Sequence, residues 1–304
     1  MRAEVGPALR KLAPTAASAA TGVQVGAAIV ATRFVIGQTS PASLALLRYA
    51  IGFCCLLPPA LLARRVRLER RDLLPIALLG IVQFGVVVAL LNFALQHISS
   101  TRTALIFATF PLLTMLLAAA LGTERLTLAK SLGVLVTLVG VGLALAEKAL
   151  TGHSAPHEWV GALAVFASAV SGALCSVLYR PYVRKYPTLP LSAFAMLAAV
   201  GFLAVLAAGE GFFRALPRFT AQGWLAVVFI GVSSGAGYFL WLWALGRTTP
   251  TRVTVFLALS PVTAAGLGAA LLGEQITPLT LAGLVCVACG LWLAHRQPRV
   301  VFAT

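Results

Sequence analysis

The sequence predicts an all-α membrane protein of ten transmembrane helices, arranged as two inverted five-helix repeats around a central cavity. Three observations lead there. The chain is 60% hydrophobic and 10% charged, where a soluble domain would carry roughly 25% charged residues. Its apolar runs approach the ~20 residues that carry a helix across a ~30 Å hydrocarbon layer. Finally, the chain repeats itself. Residues 94–146 and 244–296 align without a gap at an offset of 150, with 16 of 53 pairs identical. These include Thr101/Thr251, Arg102/Arg252, Pro111/Pro261, Glu124/Glu274, Gly133/Gly283 and Gly140/Gly290. A period of half the chain is no solenoid. In an apolar chain it divides the molecule into residues 1–150 and residues 151–304, a first and a second five-helix repeat.

Only helices or a closed barrel satisfy the backbone inside a bilayer. The runs are too long for barrel strands and do not alternate, which leaves helices. The predicted spans are 14–36, 41–63, 73–96, 100–121, 128–146, 158–179, 189–209, 221–245, 250–272 and 278–295. The basic stretch Met1–Lys11 followed by apolar Ala13–Ile36 looks like a signal peptide. The apolar part is too long for one and has a counterpart in the second half, so it is the first span. Pro41, Pro75, Thr127, Pro156, Pro187, Pro217 and Pro250 punctuate the later spans. Thr277–Pro278 opens the tenth as an N-cap followed by proline at the first helical position.

The net charge of +15 does not indicate nucleic-acid binding, because the basic residues sit in short loops between apolar runs. They report orientation instead. Of 23 Lys and Arg, 17 fall on the side of the N-terminus and four on the other, with Arg33 and Arg48 inside spans. Both termini are therefore expected in the cytoplasm. Five spans per half is odd, so the second half enters the membrane from the opposite face, and a pseudo-twofold axis lies in the membrane plane. All five cysteines lie in apolar runs. Cys286 and Cys289 have CxxC spacing but no second pair and no nearby histidine, so no metal site is expected.

Several segments carry a resemblance. Leu47-Arg48-Tyr49 lies early in the second span, and Phe110-Pro111 and Ser260-Pro261 lie inside the fourth and ninth. Gly273-Glu274-Gln275-Ile276-Thr277 forms a short turn between the ninth and tenth. With these residues the chain resembles the drug/metabolite transporter superfamily, in its ten-helix EamA-type branch, and within it the bacterial aromatic amino acid exporters. The first-half turn, Gly122-Thr123-Glu124-Arg125-Leu126-Thr127, departs by placing Thr where the glycine would be, but keeps Glu124 in register with Glu274. Structural roles are expected for these elements. The glutamates are expected to face the N-terminus of the next helix, the prolines permit kinks, and the glycines of the fifth and tenth spans allow close packing.

Functional sites inside a membrane are marked by deep polar groups. All eight acids fall in loops or at span ends, as do the four histidines. No buried carboxylate stands ready as a proton relay, so a facilitator, or coupling carried by the substrate, is equally open. What lies deep is neutral and aromatic. Gln24 sits with Thr21 in the first span, and Ser168 and Ser171 in the sixth. Gln83 and Phe84 are in the third, Phe107 in the fourth, and Ser234, Tyr238 and Trp241 in the eighth. The first, third, fourth, sixth, eighth and ninth spans would thus line the cavity. Serines in spans also bond their own helix, and Trp241 could belong to an interfacial belt. Arg48 reads structurally as a residue that snorkels or hydrogen-bonds to helix ends, and functionally as a carboxylate anchor. Arg102 is expected as a solvated loop charge.

Two amides, several hydroxyls and a set of rings suit a zwitterion with an apolar or aromatic tail. The expectation is therefore an inner-membrane exporter of aromatic or other neutral amino acids and related metabolites, working by alternating access. A permease for a nucleotide-sugar or organic cation is the alternative. No nucleophile, base or metal set suggests an enzyme. No catalytic residue and no cofactor is assigned. The expected partners are a small-molecule substrate and the lipid bilayer, with no nucleic acid. A monomer is expected, in the bacterial plasma membrane.

Overall fold

The computed structural model describes residues 7–62, 68–123, 128–151 and 158–295. Glu124, Arg125, Leu126, Thr127 and Pro156 lie outside them. Among the described residues every regular element is helical. The chain runs as α1 (Pro7–Val35), α2 (Pro41–Leu62) and α3 (Arg70–Gly80). A π-helical turn (Ile81–Val86) then leads into α4 (Val87–His97). Next come α5 (Ser100–Phe107), α6 (Phe110–Ala120) and α7 (Leu128–Thr151). The second half holds α8 (Glu158–Leu178), α9 (Arg180–Lys185), α10 (Thr188–Gly209) and α11 (Ala221–Leu245). After α12 (Pro250–Thr254), a 3-10 turn (Val255–Ala258), α13 (Leu259–Leu272) and α14 (Pro278–His295) complete the chain.

Joined across their internal breaks, these helices give eight rods long and apolar enough to cross a membrane. Two further apolar stretches, Ser131–Leu143 and Pro278–Gly290, are shorter. The outward faces are those of a protein dissolved in lipid. On α8, Leu163, Phe166, Val170 and Leu174 form an exposed stripe at helical spacing, and on α11 Leu225, Val228, Phe229 and Val232 do the same. Stripes of this kind would be unstable in water and are at home in hydrocarbon.

The N-cap read from the sequence acts as such, and the structure adds others. Thr277 Oγ1 accepts from the Thr280 amide at 3.2 Å, and Pro278 opens α14. Ser99 caps α5 through the Arg102 amide, and its counterpart Thr249 caps α12 through the Arg252 amide. Pro111 and Pro261 have no N–H for the carbonyls four residues earlier, Phe107 and Leu257. There the rods break, at Ala108–Thr109 between α5 and α6 and in the 3-10 turn ahead of α13.

Each half packs mainly on the other. α1 lies on α11 and α13, α2 on α10 and α11, α4 on α8, and α7 on α14. Small residues set the closest approaches. A Cβ on Gly26 would meet the Ser260 carbonyl at 2.5 Å. The Gly22-xxx-Gly26 pair is thus spent within the chain. On α7 and α14 the contacts are reciprocal. A Cβ on Gly140 would lie 2.7 Å from the Gly283 carbonyl, and one on Gly290 2.6 Å from the Gly133 carbonyl.

Loops sort to two ends. At one end the Glu210 carboxylate, past α10, accepts from the amides of Ala42 and Ser43 at the start of α2. At the same end Glu274, past α13, accepts from the amides of Ser100 and Thr101 and from the Thr101 hydroxyl at 2.8 Å, so it faces the N-terminus of α5 and not that of the helix next in sequence, α14. Arg102, expected as a solvated charge, instead pairs at 2.6 Å with the buried Glu158 at the head of α8. A cation brought into that half-dry setting needs a counterion. At the opposite end Lys185, closing α9, pairs with Glu69 and Asp72 before and within the first turn of α3.

Candidate functional site

A cavity with about 520 Å³ of empty space, partly open to solvent, lies at the middle of the rods. It is lined by Thr21, Gln24 and Val25 of α1 and by Arg48 and Tyr49 of α2. Gln83 and Phe84 of the π-helical turn, Phe107 of α5, Phe110 of α6 and Leu257 of the 3-10 turn add to the wall, and Ser234, Gly237, Tyr238 and Trp241 of α11 close it.

Helix irregularity builds much of this wall. A π-helical turn widens the helix by one residue and commonly marks a functional position. Here it carries Gln83 and Phe84. Phe107 and Leu257 are the residues four before the two prolines, so the helix breaks occur where the rods pass the cavity. They are also counterparts at the offset of 150.

The rings form one continuous cluster. Phe84 sits 4.9 Å from Tyr49 and 4.0 Å, edge-on, from Tyr238. Tyr238 stacks on Trp241 at 5.7 Å, and Tyr179 lies behind both. Trp241 is 4% exposed, so it is a core residue of the cavity and not part of an interfacial belt. The polar groups lie beside the rings. Arg48 Nε donates to Ser234 Oγ at 2.7 Å, and its guanidinium lies 5.5 Å from the Tyr49 ring centre. Gln24 Nε2 donates to Ser233 Oγ at 3.4 Å. Thr21 Oγ1 bonds the Ala17 carbonyl of its own helix and, more weakly, the Gly237 carbonyl. The Gln83 side-chain carbonyl is buried without a hydrogen-bond partner.

Of the residues expected to line the cavity, Gln24, Gln83, Phe84, Phe107, Ser234, Tyr238 and Trp241 come together there. Ser168 and Ser171 do not. The Ser168 hydroxyl is fully buried and donates at 2.8 Å to the Val87 carbonyl, at the exit of the π-helical turn. Phe110 explains why α8 stands back: its ring packs on Gly172 and itself forms the cavity wall. The sixth span is therefore a supporting helix, and the second takes its place with Arg48 and Tyr49. Phe110, next to Pro111, was marked only by the Phe-Pro motif. Among the described residues no cluster of three His, Cys, Asp or Glu could hold a metal.

These features define a multi-pass helical membrane protein with a polar and aromatic cavity between its helices. The chain belongs to the EamA-like transporter family, which matches residues 16–146 and 159–296. An uncharacterized transporter of Archaeoglobus fulgidus is 27% identical over 90% of this chain and 95% of its own. A protein of Streptantibioticus cattleyicolor described as a probable terminal-alkyne amino-acid exporter is 30% identical over 76% of each chain. A crystal structure whose description names no activity superposes with a TM-score of 0.72 at 24% identity, covering 92% of this chain and 96% of the other. At that identity the likeness speaks for the fold alone.

Proposed function

We propose that this transporter exports neutral amino acids, aromatic ones among them, from the bacterial cytoplasm by alternating access across the plasma membrane. The observation that carries the reading is the cavity itself. Amide, hydroxyl and guanidinium groups share one small space with a ring cluster built by Tyr49, Phe84, Tyr238 and Trp241. Such a lining replaces water around an amino acid's charged end while rings receive its tail. Gln24, Gln83, Phe84, Phe107, Ser234, Tyr238 and Trp241 are the substrate contacts in this reading, and Ser168 supports them from behind through the Val87 carbonyl. The Streptantibioticus relative, named as an amino-acid exporter, points the same way.

In this reading the chain has ten crossings, in inverted repeats of residues 1–150 and 151–304. Three features support it. The family matches twice. The Gly140/Gly283 and Gly290/Gly133 contacts exchange equivalent partners, as a twofold axis requires. And α8 starts at the Glu274 end while α1 starts at the opposite one. A site on such an axis opens alternately to either side by rocking one half against the other. The positive-inside bias puts both termini in the cytoplasm. With Gly22 and Gly26 used internally, a monomer suffices, and no step requires a cofactor.

Counterflow in liposomes tests the reading. Purified protein loaded with unlabelled phenylalanine should accumulate labelled phenylalanine, and a panel of neutral amino acids should compete. Movement of a nucleotide-sugar or an organic cation, with no amino acid moved, would overturn it.

A further inference from the structure

We infer that Arg48 is the anchor for the substrate's carboxylate, so that the site selects molecules with a free carboxylate over their amides and amines. The inference rests on the amino acid reading above and sharpens it.

Arg48 lies in the cavity wall, half-buried, on a helix inside the membrane. A guanidinium is a permanent cation and is expensive at that depth. Three cations elsewhere in the fold show how such charges are satisfied, two at the helix ends and one inside a span. Arg102 has Glu158, Lys185 has Glu69 and Asp72, and Arg33 donates to the Leu95 carbonyl near the C-terminus of α4. Among the described residues no carboxylate pairs with Arg48. Nor does it snorkel. Its Nε is tied to Ser234, in the middle of α11 and far from either end. That bond fixes the side chain and uses one of five donors. The two terminal nitrogens remain, in the planar fork that matches a carboxylate bidentately.

An unmatched cation held rigidly in a cavity is costly in the empty protein, and the cost is offset when an anion enters. Gln83 lines the same cavity and its side-chain carbonyl is buried without a partner, which makes it the complementary acceptor for an ammonium. The two groups are of opposite polarity, as a zwitterion needs, with the Phe84 and Tyr238 rings beside them.

The test is competition against labelled phenylalanine in counterflow, with unlabelled phenylalanine, phenylalaninamide, 2-phenylethylamine and 3-phenylpropanoate. In the wild type, phenylalanine should compete at least ~100-fold better than its amide or the amine, with 3-phenylpropanoate between. R48Q should lose that preference, with phenylalanine no better than its amide. R48K, which keeps the charge but not the fork, should keep part of it. A wild type that moves phenylalanine but does not distinguish it from its amide overturns the anchor and leaves amino acid transport standing. So does an R48Q protein with the wild-type preference. A wild type that moves no amino acid overturns the underlying reading instead. Should R48Q fail to fold, the wild-type competition series decides by itself.

Discussion

Gln83 exemplifies a residue whose cost in stability is paired with a gain in function. A buried amide oxygen without a partner costs roughly 1–3 kcal/mol, and the Gln83 oxygen lies in the cavity wall in that condition. Gln83→Leu, of similar volume, should therefore leave thermal stability in detergent unchanged or higher. It should also weaken half-saturation for phenylalanine about tenfold, the equivalent of one hydrogen bond of ~1.4 kcal/mol. Lower stability together with unchanged transport would make Gln83 a packing residue. At this scale the sequence spoke clearly about types of residue and less clearly about directions. Deep amides and rings in apolar runs stand out, and seven of the nine chosen positions meet in the cavity. Ser168 and Ser171 carried the same signal, but a hydroxyl facing a neighbouring carbonyl has the same sequence as one facing a cavity. Arg48 was visible as a central charge. Its tie to Ser234 joins residues 186 apart, and no local pattern encodes such a pairing.

Elements were the most legible level, because their ends obey local chemistry. Pro41, Pro250 and Thr277–Pro278 open helices where the backbone can spare an N–H or needs a cap. Pro111 and Pro261 break theirs. The π-helical turn over Ile81–Val86 was not legible, since it answers to contacts with α8 and α10 and has no composition of its own. The two turns that end α6 and α13 show a smaller shift. Each holds a glycine at positive φ, Gly122 at 67° and Gly273 at 66°, one residue out of register between the halves. Close approaches can be tested at this level. Gly26→Val would drive side-chain atoms into the Ser260 backbone and should cost at least ~2–3 kcal/mol. Gly142→Ala, where nothing lies within 4 Å, should be neutral or gain up to ~1 kcal/mol from reduced backbone entropy. Equal melting temperatures for the two variants would contradict the α1–α13 contact.

Glu210 and Glu274 extend the element argument to pH. Burial pushes each carboxyl up, but the amide and hydroxyl donors around it outweigh that and hold it below the ordinary carboxylate range. A folded-state value below the unfolded value of ~4.3 means the stabilisation is complete above that pH. It is lost as pH falls through the lowered value. Glu274→Gln should therefore melt lower than wild type at pH 7, by an amount equivalent to about 1 kcal/mol given its half-exposed setting. The two should converge as pH drops from about 5 towards 3. A gap of constant size across that range would assign the loss to packing and not to charge.

At the scale of the whole molecule, the halves interlock, with α1 on α11 and α13, and α7 on α14. The repeat stands out in the sequence because 16 of 53 aligned pairs are identical; the interlocking does not, because a repeat says nothing of which face meets which. The proposed inverted arrangement makes a sharp demand. The turns that follow the second rod of each half, near Arg71 and near Leu216, must lie on opposite faces of the membrane. Both side chains are exposed, at 77% and 71%, so both positions can report. In a background with Cys54, Cys55, Cys175, Cys286 and Cys289 replaced, Leu216→Cys should react with an impermeant maleimide on intact cells. Arg71→Cys should react only after permeabilisation, since the positive-inside bias puts its turn in the cytoplasm. Exchange of the two results would reverse the orientation and keep the inversion. Labelling of both from one side would leave five crossings per half impossible, and with them the shared axis on which alternating access depends.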